Sequence, residues 1–182
     1  MKANKPTMPA EDAIALCYLF RAHGIVVWVD GGWGVDALLG RQTRHHSDLD
    51  IALRHSDVAR LRALLEELGY RDVPRDDTRA CNFVLGDDFG HQIDVHSFEL
   101  DAQGNNVFGC EYRSEHLTGE GTIRGRAVKC IPPQHIIQFH TGYKIDQADA
   151  EDVKALCENF GIEMPEEHKA YWRARSAGPC QS

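Results

Sequence analysis

The run Ile25-Val26-Val27-Trp28-Val29 leads straight into Asp30-Gly31-Gly32, then into the short helical pattern Val35-Asp36-Ala37-Leu38-Leu39 that Gly40 closes. A β-branched apolar run of this length reads as a buried strand, and the glycines after it read as a turn. A strand that passes through a glycine turn into a helix needs layers of sheet and helix, so the chain belongs to the mixed α/β class.

The remaining pattern agrees. Ala13, Leu16, Cys17 and Phe20 recur at helical spacing between about Pro9 and His23, with Gly24 as the stop. Leu49, Ile51 and Leu53 alternate with Asp48 and Asp50, which predicts a strand with its carboxylates turned away from the core. Ser56 suits an N-cap for a helix through Leu68, closed by Gly69. Strands are expected at 70–73, 82–85 and 92–98, the last placing Ile93 and Val95 on one face and Asp94 and His96 on the other. Residues 101–121, rich in Gly, Asn and Glu, read as irregular, and a short hairpin around Arg124-Gly125-Arg126 leads into 127–131. Pro132-Pro133 opens a helix to about Tyr143; Val153, Leu156, Cys157 and Phe160 mark a second before Gly161, and 166–175 a third. The expected organisation is an α/β (α+β) core over 1–131 and a helical appendage over 132–182 packed on it.

With 28 acidic residues against 20 Lys and Arg, the formal charge is −8, a sign that repels phosphate backbones and attracts cations. Nucleic acid is therefore not an expected partner. Without a long apolar stretch the chain is expected to have no membrane partner and to be cytoplasmic. Six cysteines are scattered without a C-x-x-C pair, so neither a zinc knuckle nor a disulfide framework is encoded.

Asp48 and Asp50, two positions apart on a strand, lie about 6.6 Å apart at Cα and offer hard oxygen ligands to Mg²⁺. Alone, such a pair is equally a solvated strand edge. Asp94 adds a third carboxylate to the same surface if the two strands pair, and three like charges repel unless a cation joins them. Gly31-Gly32 lets backbone N–H groups approach a phosphate, although the same pair is also a plain tight turn. Arg41 and Arg44, just before the carboxylates, make sense if a polyphosphate bridges metal and guanidinium. A zinc reading through His45, His46 and Asp48 lacks a thiolate and the usual spacing.

Gly31-Gly32-Trp33-Gly34-Val35-Asp36, then Arg44-His45-His46-Ser47-Asp48-Leu49-Asp50-Ile51 and Ile93-Asp94-Val95-His96, resemble the nucleotidyltransferase superfamily of the DNA polymerase β type. Sixteen residues separate Gly32 from Asp48. Trp28 to Asp36, Phe139-His140-Thr141-Gly142-Tyr143 and Asp149 to Lys154 are most similar to the small lincosamide nucleotidyltransferases, and more distantly to the aminoglycoside 2''-nucleotidyltransferases. The resemblance covers most of residues 10 to 157 and departs at 101–121 and beyond Gly161.

The resemblance implies a polymerase β-like core and transfer of a nucleoside monophosphate, AMP from ATP, to a hydroxyl of a small cationic antibiotic, with release of pyrophosphate. It implies two Mg²⁺ ions on Asp48, Asp50 and Asp94, with Asp94 as the base or as a metal ligand. Gly31, Gly32, Arg44, His46 and Lys144 would contact the nucleotide, while His96 and Tyr143 are candidates for nucleotide or acceptor contacts. Asp36 reads as structural; Asp152 and Lys154 read as a helix surface pair or as neighbours of the triphosphate. A homodimer is compatible with this reading, although no residue pattern encodes one. Other acceptors, an aminoglycoside or a protein hydroxyl, and a regulator that has lost turnover are the competing readings.

Overall fold

The structure is a computed structural model that describes residues 5–176. The chain divides into two compact units, Met1–Pro132 and Pro133–Ser182. The first contains α1 (Ala10–Ala22), β1 (Val27–Val29), α2 (Gly31–Leu39), β2 (Leu49–Arg54), α3 (Val58–Glu67), β3 (Arg71–Val73), β4 (Asn82–Gly86), β5 (Gln92–Leu100), β6 (Asn106–Gly109), β7 (Gly119–Ile123) and β8 (Arg126–Cys130). The second contains α4 (Pro133–Phe139), α5 (Gln147–Phe160) and α6 (Glu166–Ser176).

The strands form one mixed sheet in the order β3-β4-β5-β2-β1-β8-β7, with β6 extending the edge of β5. β2 runs parallel to β5 and β1 parallel to β8; the other pairings are antiparallel. Period-two alternation divides the sheet into two faces. Leu49, Ile51, Leu53, Phe83, Leu85, Ile93 and Val95 are buried in one core with Ala13, Phe20, Leu61 and Leu65 of α1 and α3. Burying side chains of this size stabilises by roughly 1.5–3 kcal/mol each. The opposite face carries Asp50, Asp94 and His96 above an aromatic floor, where Trp28 meets Phe98 at 6.0 Å and Phe98 meets Tyr112 at 5.3 Å between ring centroids.

Several local expectations are corrected. Gly31 and Gly32 are the first residues of α2 and not a turn before it: Asp30 occupies the N-cap and its side chain accepts from the Gly31 N–H at 2.8 Å. Ser56 does not cap α3. It sits in a 3₁₀ turn, His55–Asp57, with its backbone N–H donating to Glu99 Oε1 at 2.7 Å. The stretch 101–121 is ordered as β6, a 3₁₀ turn at Ser114–Leu117 and the start of β7. Its glycines had hidden these short edge elements: Gly104 and Gly109 both take positive φ. The helix after Pro132 ends at Phe139, four residues short of Tyr143, and Gly142 follows at positive φ.

In the second unit Gly161 closes α5 in the left-handed conformation, and Ala150, Asp152, Val153, Leu156 and Cys157 are buried. Among the described residues, no helix is long and apolar enough to cross a membrane.

Candidate active site

β2 and β5 pair in parallel with Asp50 directly opposite Asp94 and Ala52 opposite His96. This register decides the site. Residues paired across parallel strands project from the same face, so two carboxylates that are 44 positions apart in the chain (94 − 50) become neighbours. Asp50, Asp94 and His96 each offer a ligand atom within 4.8 Å of the others. Asp48 precedes β2 on the same face, partly buried, and accepts from Ser47 Oγ at 3.1 Å.

The elbow after β1 closes the other side. The Asp30 N–H donates to the Asp50 carbonyl at 3.0 Å, which ties the elbow to β2. Gly31 has φ +54, and a Cβ there would overlap Asp50 Oδ2. Gly32 faces Arg44: a Cβ on it would lie 2.5 Å from Arg44 Nη2 and 2.5 Å from His46 Nδ1. Both glycines are therefore required by close approach, and the structure brings Gly31, Gly32, Arg44, Asp50 and Asp94 together.

Crowding of negative charge shapes the titration. Burial, reinforced by the Asp48, Asp94 and Asp30 charges, pushes the Asp50 carboxyl up to about 8. His96 Nε2 lies 3.2 Å from Asp94 Oδ1. Although burial opposes its charge, the hydrogen bond and charge of Asp94, with Asp50 and Asp30 behind them, raise the imidazole to about 9. A site that drives a carboxylate toward its neutral form and an imidazole toward its cation is short of positive charge. Asp50, Asp94 and His96 are a donor set that could hold a divalent cation, which would supply it.

Two participants, Asp30 and Tyr112, escaped the sequence reading. Asp30 is buried and accepts from Gly31 on one oxygen and from the Tyr112 hydroxyl on the other, at 2.7 Å. The Tyr112 oxygen also lies 3.5 Å from His96 Nδ1, so His96 stands between Tyr112 and Asp94. Burial, with Asp30 beside it, pushes the Tyr112 phenol well above its ordinary range and keeps it a donor. No periodic signal marks Tyr112. Asp30 was legible as an N-cap before a helix, and the His96 role followed from the alternation that placed it beside Asp94.

His46 is buried. Its Nε2 bonds Asp36 Oδ2 at 2.5 Å and its ring lies 4.4 Å from that of Trp33. Asp36 Oδ1 also accepts from Thr43 N and Oγ1. These contacts brace the loop that carries Arg44 against Gly32, while His45 is exposed. Lys144 and Tyr143 are exposed residues of the C-terminal unit. Asp152 and Lys154 are not a surface pair: Asp152 is buried, and Lys154 Nζ lies 3.8 Å from Glu158.

Parallel strands that set two aspartates in register beside a glycine elbow, on a mixed sheet flanked by helices, define a nucleotidyltransferase core. The profile of the aminoglycoside-2''-adenylyltransferase family matches residues 13–156, and the chain belongs to that family of antibiotic nucleotidyltransferases. A lincosamide resistance protein of Staphylococcus haemolyticus is 30% identical over 162 residues, 86% of this chain and 98% of that one. A 2''-aminoglycoside nucleotidyltransferase of Escherichia coli is 29% identical over 85% of this chain and 89% of its own length. Among solved structures, a lincomycin-bound lincosamide adenylyltransferase superposes with a TM-score of 0.73 at 24% identity, covering 86% of this chain and 99% of the other. An aminoglycoside enzyme in complex with adenylyl-2''-tobramycin superposes at 0.67 and 23% identity, covering 91% and 95%.

Proposed function

We propose that this enzyme transfers AMP from ATP to a hydroxyl of a lincosamide and releases pyrophosphate, inactivating the drug. The in-register Asp50–Asp94 pair beside Gly31 carries the proposal. Support for the lincosamide comes from relatedness: the lincosamide resistance protein is covered over 98% of its length, against 89% for the aminoglycoside enzyme. The family's own name favours a second reading, an aminoglycoside acceptor. A chain of net charge −8 suits the cationic amine that both drug classes carry.

In this reading the acceptor oxygen forms a bond to the α-phosphorus, the bond from that phosphorus to the bridging oxygen breaks, and pyrophosphate leaves. Asp94 takes the hydroxyl proton; His96 engages Oδ1, which assigns the proton to Oδ2. Gly31 and Gly32 give the triphosphate room at the start of α2, and Arg44 offsets its charge. Asp48, Asp50 and Asp94 would hold Mg²⁺, which when bound neutralises charge on the phosphates and lowers the pKa of the hydroxyl. Asp36 and His46 hold the Arg44 loop beside Gly32, and His46 remains a candidate nucleotide contact. Lys144 remains a candidate nucleotide contact and a homodimer a candidate assembly, to be tested by Lys144→Ala kinetics and by solution mass.

The acceptor is tested by incubating the enzyme with ATP, Mg²⁺ and either lincomycin or tobramycin, following pyrophosphate release and product mass. Lincomycin gains one adenylyl group and tobramycin none; the converse moves the assignment to aminoglycosides.

The metal is tested by stability. Asp50 is raised from 3.8 to about 8, so the stability linked to its neutral form is complete below the unfolded value and lost as pH rises through 8. His96 is raised from 6.5 to about 9, so its contribution is likewise lost as pH rises through 9. Both act in one direction between pH 7 and 9: without divalent cations the melting temperature falls across that window, and Mg²⁺ restores it by an increment that grows with pH. An Mg²⁺ effect that is flat in pH would detach the cation from these carboxylates.

A further inference from the structure

β4 and β6 both run antiparallel to β5, on the same edge and end to end. Asn82 pairs with His96 and Gly109 with Phe98, which leaves Ser97 between them. In an antiparallel ladder a hydrogen-bonded residue exchanges both its bonds with one residue opposite. Ser97 divides them: its N–H donates to the Cys81 carbonyl at 2.7 Å, and its carbonyl accepts from the Cys110 N–H at 2.9 Å. Two cysteines, one just before β4 and one just after β6, therefore share one ladder position. The Cys110 thiol donates to the Cys81 carbonyl at 3.4 Å. Both residues are free thiols and partly accessible, whereas Cys17, Cys130 and Cys157 are buried.

We propose that Cys81 and Cys110 form a redox-reactive dithiol, a site of covalent modification by low-molecular-weight disulfides. The Cys110 S–H is engaged by the Cys81 carbonyl and burial pushes that thiol up, so Cys81 is the sulfur that attacks first. Its sulfur bonds to one sulfur of the incoming disulfide and releases the other half as a thiol. Cys110 then displaces the remaining half from Cys81. Two protein thiols and one small disulfide become one protein disulfide and two small thiols, the two protons leaving on the released thiols. The bridge ties the segment after β6 to the start of β4. Tyr112, whose N–H donates to the Cys110 carbonyl at 2.7 Å and whose hydroxyl meets Asp30 and His96, belongs to that segment.

The test uses the full chain with Cys180, which lies outside the described residues, replaced by Ser (Cys180→Ser). The folded protein is incubated with oxidised glutathione, quenched in acid, alkylated and digested, and its peptides are weighed. One bridged peptide pair containing Cys81 and Cys110 is expected, reversed by dithiothreitol. In a Cys110→Ser background, Cys81 retains glutathione; in a Cys81→Ser background, Cys110 stays unmodified. Separate glutathione adducts on both cysteines without a bridge, or a bridge that forms only after denaturation, overturn the proposal.

Discussion

Asp50→Asn removes nucleotidyl transfer by a factor on the order of 10³ or more, about 4 kcal/mol of transition-state stabilisation, while the chain stays folded. The carboxylate is held over Gly31 on one side and in register with Asp94 on the other, so an amide of nearly the same shape keeps the packing and loses the charge. Because like charges and burial already drive Asp50 toward neutrality, the substitution also relieves repulsion. At pH 8 without divalent cations, the variant melts no lower than the parent. Turnover read from pyrophosphate release, beside a circular-dichroism melt, separates the two effects. Retention of a tenth of the parental rate would remove Asp50 from the metal set. Asp94→Asn is expected to match it in turnover.

Gly31→Ala is the second large effect, and it acts through space. The left-handed backbone at φ +54 costs a non-glycine residue roughly 1–2 kcal/mol. Its Cβ would also overlap Asp50 Oδ2 and come within 2.6 Å of Asp50 Cγ. Asp50 cannot move down, because the sheet lies beneath it, and Asp30 is fixed to β2 through the Asp50 carbonyl. The carboxylate must rotate out of line with Asp94, or the elbow must shift. We expect transfer to fall by about 100-fold or more, since an ångström of misplacement at a reacting centre costs on that scale, and urea unfolding to show a loss of about 2 kcal/mol. Gly24→Ala is the control. Gly24 has φ +69 but nothing within 4 Å of a new Cβ, so it carries the backbone strain alone and leaves transfer intact.

Alternation is what made the carboxylates legible in the sequence. Leu49, Ile51 and Leu53 had to face a core, which forced Asp48 and Asp50 outward, and Ile93 and Val95 did the same for Asp94 and His96. That β2 and β5 are parallel neighbours is a long-range fact which local spacing does not encode. The family resemblance supplied that link. Tyr112 was invisible for a different reason: it sits in an irregular segment, and its partners, Asp30 at the N-cap of α2 and His96 on β5, lie 82 and 16 positions away. His46 is a nucleotide contact only by what the resemblance implies. The structure buries it under Trp33 through a hydrogen bond to Asp36, ten residues earlier, and no composition rule anticipates such a pairing.

The two acidic strands also carry a form of proofreading. Slipping either by one residue would thrust its aspartates into the oil of the core and turn its leucines or isoleucines out to water. Misassembled catalytic machinery is thus the same event as a misfolded protein, and any molecule that survives folding emerges with its carboxylates aligned.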